Sequence, residues 1–108
     1  MDNDSLKYAF VYAMEQRDNM YYDQVKKNNK LSEIYSSYIA DIRYLDEFEK
    51  SIAKLLSVAL DKDYEYVYNT ITWYLYDSPH DDNENVTLQD GTKLKVHSYE
   101  ALYDYLNL

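Results

Sequence analysis

From Leu31 to Ala59 one set of positions recurs at alternating steps of four and three: Leu31, Tyr35, Tyr38, Ile42, Leu45, Glu49, Ile52, Leu56 and Ala59. That period belongs to a helix packing at a shallow angle on a neighbour. It predicts a long helix over about 31–60, or two helices joined near Asp46–Glu49. Glu49 alone breaks the apolar rule, with Phe48 beside it. Upstream, Leu6, Phe10, Ala13, Met14, Tyr21 and Val25 form a looser stripe. They predict a first helix over about 5–27 that Asp4 or Ser5 can cap. Its end is expected at Lys26-Lys27-Asn28-Asn29, where cations suit a helix C-terminus and Asn tolerates a left-handed cap.

Residues 62–76 carry two patterns at once. Tyr64, Val67, Tyr68, Ile71, Tyr74 and Leu75 fit a helix capped by Asp61 or Asp63, whereas Tyr66, Tyr68, Thr70, Thr72, Tyr74 and Tyr76 fit one face of a strand. The i,i+4 spacing of Val67, Ile71 and Leu75, and a length unusual for a strand, favour the helix. Ser78–Asn85 reads as a loop.

After it, residues 85–97 read as a β-hairpin. A two-residue Asp90-Gly91 turn would mix the faces of its strands. A three-residue Gln89-Asp90-Gly91 loop with a left-handed Gly91 pairs Leu88 with Thr92 and Val86 with Leu94. It puts Val86, Leu88, Leu94 and Val96 on one face. Ser98 then caps a last helix over 98–107, with Leu102 and Leu106 buried and Tyr99, Tyr103 or Tyr105 flanking them. The fold class is α+β, mostly helical, in one domain spanning 1–108.

Composition narrows the function classes. At 46% hydrophobic the chain has a globular composition, and 108 residues suffice for one core. Without Cys, disulfides and zinc–thiolate sites are excluded. The start Met1-Asp2-Asn3-Asp4 lacks the basic, then apolar, build of a signal peptide, and no apolar run approaches a membrane span. The expectation is a cytoplasmic protein.

The single Gly cannot build a phosphate loop, a dinucleotide-binding turn or a nucleophile elbow. His80 and His97 stand outside any metal-ligand motif. The run from Asp77 to Glu84 gathers oxygen ligands of the kind hard cations take, but lacks the alternating acids and central Gly of an EF-hand loop. Neither a catalytic residue, a metal site nor a cofactor is assigned.

Charge says more. The formal net charge is −9, and residues 1–54 hold 8 Lys/Arg against 10 Asp/Glu while residues 55–108 hold 3 against 10. In the first half, Asp23 with Lys27 and Asp46 with Lys50 stand at pairing distance on a helix. In the second half the acids mostly lack a nearby cation in sequence, and Glu100 and Asp104 stand as a like-charge i,i+4 pair. A pI near 4.5 disfavours direct contact with nucleic acid or anionic membrane and favours a basic partner.

Carboxylates one helical turn apart lie ~5–6 Å from each other, near the ~7 Å expected between successive phosphates. They suit Lys and Arg side chains that await phosphate. Interleaved Tyr rings supply rigid area and stack on arginine. The candidate partner-binding residues are therefore Asp61, Asp63, Glu65, Tyr66, Tyr74, Tyr76, Asp77, Asp81, Asp82, Glu84, Asp90, Glu100 and Asp104, with Tyr103 and Tyr105 as further candidate anchors.

The ending, with Trp73-Tyr-Leu-Tyr-Asp77, Gln89-Asp90-Gly91-Thr-Lys-Leu94 and Ser98-Tyr-Glu-Ala-Leu-Tyr-Asp-Tyr-Leu106, resembles the C-terminal part of small acidic phage and prophage proteins of unknown function. The likeness covers the last 35–40 residues or so. In size, acidity and lack of enzyme motifs the chain is also similar to DNA-mimicking antirestriction and anti-CRISPR inhibitors. The resemblance implies a phage setting and transfers no functional residue.

The leading expectation is a non-enzymatic inhibitor that blocks a basic, nucleic-acid-binding surface of a host defence enzyme, such as an RNA-guided nuclease. The alternative is a helical scaffold protein that self-associates, or docks on a partner helix, through the Leu31–Ala59 stripe.

Overall fold

A computed structural model describes residues 3–34 and 43–108, and their side chains except those of residues 24, 25, 28–34, 43 and 44. Among them, helix α1 (Asn3–Ile34) is followed by α2 (Arg43–Leu60), α3 (Tyr64–Thr72), a π-helical turn (Trp73–Asp77), strands β1 (Asn85–Thr87) and β2 (Lys93–Lys95), and helix α4 (Tyr99–Leu106). The chain is α+β and mostly helical.

α1 passes through the expected stop at 26–29 and continues to Ile34. Lys is a good helix former and Asn only tolerates a left-handed end. With the lone Gly at 91 and the lone Pro at 79, nothing there forces a stop. Leu31, the first residue of the long stripe, therefore belongs to α1, and Tyr35, Tyr38 and Ile42 lie outside the described residues. α2 is continuous through Asp46–Glu49, so no joint interrupts it there.

The C-terminus of α2 closes without glycine. Asp61 takes the left-handed conformation at φ 55°, its N–H reaches Val58 O, and Lys62 N–H donates to Ser57 O at 2.9 Å. This is a Schellman ending. Asp63 then caps α3 by accepting from the N–H of Tyr66 at 3.0 Å.

Residues 64–72 are helical because that geometry buries Val67 and Ile71 completely. A strand would have put exposed Asn69 on the same face as Val67 and Ile71, and buried Thr70 and Tyr74 on the opposite one. The helix widens at its end, where Ser78 N–H donates to Trp73 O at 2.8 Å across five residues. The Trp73 indole N–H donates to Thr87 O at 2.9 Å and fastens this turn to the hairpin.

The hairpin adopts the expected register. Val86 pairs with Leu94, Leu88 N–H donates to Thr92 O at 2.8 Å, and Gly91 sits at φ 89°. Val86 and Leu88 are buried, while Leu94 and Val96 are half-buried against the same core. Ser98 caps α4 through Ala101 N–H.

One apolar cluster unites these elements. Phe10, Val11 and Met14 of α1 meet Ile52, Ala53 and Leu56 of α2, with Val67 and Ile71 of α3, Val86 and Leu88 of the hairpin, and Leu102 and Leu106 of α4. Tyr99 and Tyr103 are part of this core and no mere flank to it. The Tyr103 hydroxyl donates to Asn3 Oδ1 at 2.7 Å, tying α4 to the start of α1.

Candidate binding surface

The thirteen residues picked from sequence fall into four environments. Tyr74 is buried. Its hydroxyl donates to Lys95 O at 2.6 Å and accepts from Ser98 N–H at 3.1 Å. It serves the core and the α4 entry, and so leaves the candidate surface. Tyr103, fully buried, leaves it too.

A second set holds the fold from outside. Besides the Asp63 cap, Asp81 accepts from the N–H groups of Asn83 and Asn85 at 2.9 and 3.0 Å and from Lys93 Nζ at 3.1 Å. Backbone donors and the lysine together pull its carboxyl down to about 2. Asp90 accepts from Thr92 N–H in the turn and from the Tyr105 hydroxyl at 2.6 Å. Those bonds, the tyrosine's first, lower the carboxyl and in turn raise the Tyr105 phenol. Asp104 pairs with Lys7 at 3.0 Å. The expectation that these C-terminal acids lack cations holds only locally, because the partners come from other elements.

The third set is free. Asp61, Glu65, Asp77, Asp82, Glu84 and Glu100 are exposed, and their side chains make no hydrogen bond or ion pair among the described residues. Tyr66 stands half exposed beside Tyr105 and Asp90. Asp4, Glu100 and Asp104 all act on the single Lys7, and the Asp104 bond chiefly raises its ammonium. Acidic surface therefore appears at the 77–84 loop, at the Asp90 turn, and where α4 meets the start of α1.

Tyr76 belongs to a network that sequence reading missed. Arg17 is 5% exposed. Its Nε donates to Glu49 Oε1 at 2.8 Å, one terminal nitrogen to Asp18 Oδ1 at 3.0 Å and the other to the Tyr76 hydroxyl at 2.5 Å. Tyr76 passes its own proton toward Glu49 Oε1 at 2.5 Å. Tyr99 closes the far side, its hydroxyl donating to both Asp18 oxygens at 2.7–2.8 Å.

The Arg17 guanidinium also lies 5.0 Å from the Tyr21 ring centroid and 5.2 Å from that of Tyr76. Burial disfavours its charged form, but the Glu49, Tyr76 and Asp18 bonds outweigh burial and hold the guanidinium above its ordinary value. Burial, then the Glu49 bond, pushes the Tyr76 phenol up to about 12. The signal was present in the sequence: Glu49 occupies a core position of the α2 stripe, and a charge there needs a buried partner.

A cleft of about 130 Å³ opens over this network between Tyr21, Tyr22, His80 and His97. No group of three or more His, Asp or Glu side chains among the described residues is arranged to hold a metal ion. No helix among them is long and apolar enough to cross a membrane. Neither a family model, nor a curated protein, nor a solved structure matches the chain, so its surfaces have to be read from their own chemistry.

Proposed function

We propose that this chain is a non-enzymatic, phage-type binding protein. In this reading its acidic C-terminal half engages a basic, nucleic-acid-binding surface of a host defence nuclease in the bacterial cytoplasm, and so blocks it. One observation carries the reading: the net charge is segregated. α1 holds five cations and five anions and α2 three of each, whereas residues 61–108 hold three cations against ten anions. Six of those anions are exposed and unpaired among the described residues.

Unpaired surface carboxylates steer a basic partner and give it charge-assisted contacts without an internal ion pair having to break first. A nuclease that holds nucleic acid in a cationic channel fits that chemistry. Tyr66, half exposed next to Asp90 and Tyr105, supplies aromatic contact area within the acidic surface. The acidic surface is preferred to docking through the Leu31–Ala59 stripe because Leu45, Glu49, Ile52 and Leu56 of that stripe are buried in this protein's own core, although Ala59 is exposed.

The test is affinity capture from a low-GC bacterial lysate at low ionic strength, followed by elution with salt and mass spectrometry. The reading expects nucleic-acid-binding proteins with basic clefts in the salt eluate. If every specifically retained protein stays bound through high salt and leaves only in denaturant, electrostatic capture is refuted.

A further inference from the structure

The Arg17 network does not balance its charge. Among the described residues Arg17 is the one cation bonded within it, against two carboxylates, Glu49 and Asp18. Glu49 is buried with Arg17 at 2.8 Å and cancels its charge. Asp18 is the surplus, and it lines the 130 Å³ cleft with 27% of its side chain exposed. Burial, then the bond to Asp18, raises the Tyr99 phenol, so Tyr99 stays a neutral donor and adds no charge of its own.

The Asp18 carboxylate also keeps room for a further donor. A carboxylate offers about four acceptor sites. Arg17 and the forked Tyr99 hydroxyl take three of them at most, two on Oδ1 and one on Oδ2. Tyr21 and Tyr22 line the same cleft, their ring planes at 74° and their centroids 6.0 Å apart. Both rings are exposed, so a group arriving from solvent reaches them. From the inside, Arg17 already shows what this pair of walls recognises: its guanidinium sits 3.0 Å from Asp18 Oδ1 and 5.0 Å from the Tyr21 centroid.

We infer that the cleft is a receptor for one arginine side chain of a protein partner, its guanidinium bonded to Asp18 and stacked on Tyr22. Size and chemistry select that ligand. At about 130 Å³ the cleft falls below the ~300–1,000 Å³ that encloses a whole small molecule, and fits the tip of a side chain. A hard metal ion wants several oxygen ligands, whereas one carboxylate stands here among rings. Lysine's ammonium is a strongly hydrated point charge, while the guanidinium is weakly hydrated, planar and stacks on aromatic rings. The assignment rests on the reading that the partner is basic, and gives that partner a specific seat: exposed acids attract it at a distance, and the cleft holds one of its arginines.

Nuclear magnetic resonance titration of the isotope-labelled full chain with Nα-acetyl-arginine methylamide tests this. No captured partner is involved, so a failure here leaves the salt-dependent capture standing, and a failed capture leaves this result standing. Citrulline, the neutral isostere, and lysine, both blocked in the same way, are the controls. Saturable shifts are expected at the amides of Asp18, Tyr21, Tyr22, His80 and His97, with arginine at least about tenfold tighter than citrulline. Tyr22→Ala should weaken arginine at least about threefold, and Asp18→Asn should erase its advantage over citrulline. Far-ultraviolet circular dichroism should not change, because Tyr22 is exposed and Asn keeps the shape of Asp18. Shifts that rise linearly and spread over Asp77, Asp82 and Glu100 overturn the proposal, as does citrulline binding as tightly as arginine or a Tyr22→Ala chain binding like the wild type. Lysine binding as tightly as arginine overturns the assignment to a guanidinium.

Discussion

The α1/α2 pair and the chain beyond residue 60 solve opposite electrostatic problems. The two long helices balance their charges and bury one ion pair between them. The remainder gathers ten acids on a hairpin, its loop and two short helices, with three lysines to meet them. Within the acidic region, a carboxylate that finds an intramolecular donor becomes a fastener, as Asp63, Asp81, Asp90 and Asp104 do. One that finds none remains available to a partner. Net charge by itself does not separate these two kinds, and the hydrogen bonds do. For that reason Asp81 and Asp104 are poor sites for probing binding, whereas Asp77, Asp82 and Glu100 are good ones.

The seam between the regions is the Arg17 network, which draws Arg17, Asp18 and Glu49 from the helix pair and Tyr76 and Tyr99 from the other side. Breaking it should give the largest effect. Arg17→Met or Glu49→Leu alone strands a buried charge and should cost about 3–5 kcal/mol in urea unfolding, while the double variant should recover most of that loss because no buried charge remains unpaired. A double variant no better than the worse single one would show that the aromatic and Asp18 contacts matter more than the pair.

A pH series sharpens the comparison next. Tyr68, Tyr74, Tyr76, Tyr99, Tyr103 and Tyr105 all have raised phenol values, through burial or a carboxylate partner. The folded state keeps these protons when the unfolded state releases them near pH ~10. Their contribution is therefore complete below that pH and is lost as pH rises above it. Thermal midpoints should fall from about pH 10 upward, in step with phenolate absorbance. At the acid end the sign reverses. The Asp81 carboxyl, held at about 2, contributes above its unfolded value of ~3.9 and loses that contribution as pH falls through the interval. Hairpin amide signals in NMR should broaden or shift there, and Asp81→Ala should remove the step at Asn83 and Asn85 while leaving that of Asp90 at Thr92.

The smallest effect is a gain. Asp61 holds a left-handed conformation that glycine adopts freely, so Asp61→Gly should stabilise the fold by up to about 1 kcal/mol in thermal unfolding. It also removes one of the exposed acids, and thereby separates stability from surface charge.

Much of the fold was legible in the sequence because it rests on short-range rules. Gly91 and the alternation of Val86, Leu88, Leu94 and Val96 permit one hairpin register, Ser98 marks a helix start, and the mixed steps of three and four through Tyr64, Val67, Ile71 and Tyr74 decide helix over strand. What escaped depends on distant partners. Lys7 meets Asp104 across 97 residues and Tyr99 meets Asp18 across 81, and no local pattern announces either. The end of α1 escaped because Lys26–Asn29 permits a stop that nothing enforces. The exposure of Leu55 escaped because Leu55 and Leu56 are neighbours in sequence, and only the helix separates an outward leucine from a buried one.

The central claim is that the unpaired acids of the C-terminal half make the binding face. Its most direct measurement is the affinity for a protein captured from the lysate, taken across a salt series, for the wild type and for a variant combining Asp77→Lys, Asp82→Lys and Glu100→Lys. The account predicts a wild-type affinity that falls steeply with salt, and a folded variant at least about tenfold weaker with a flatter salt dependence. Equal affinities and equal salt slopes for the two proteins would contradict it.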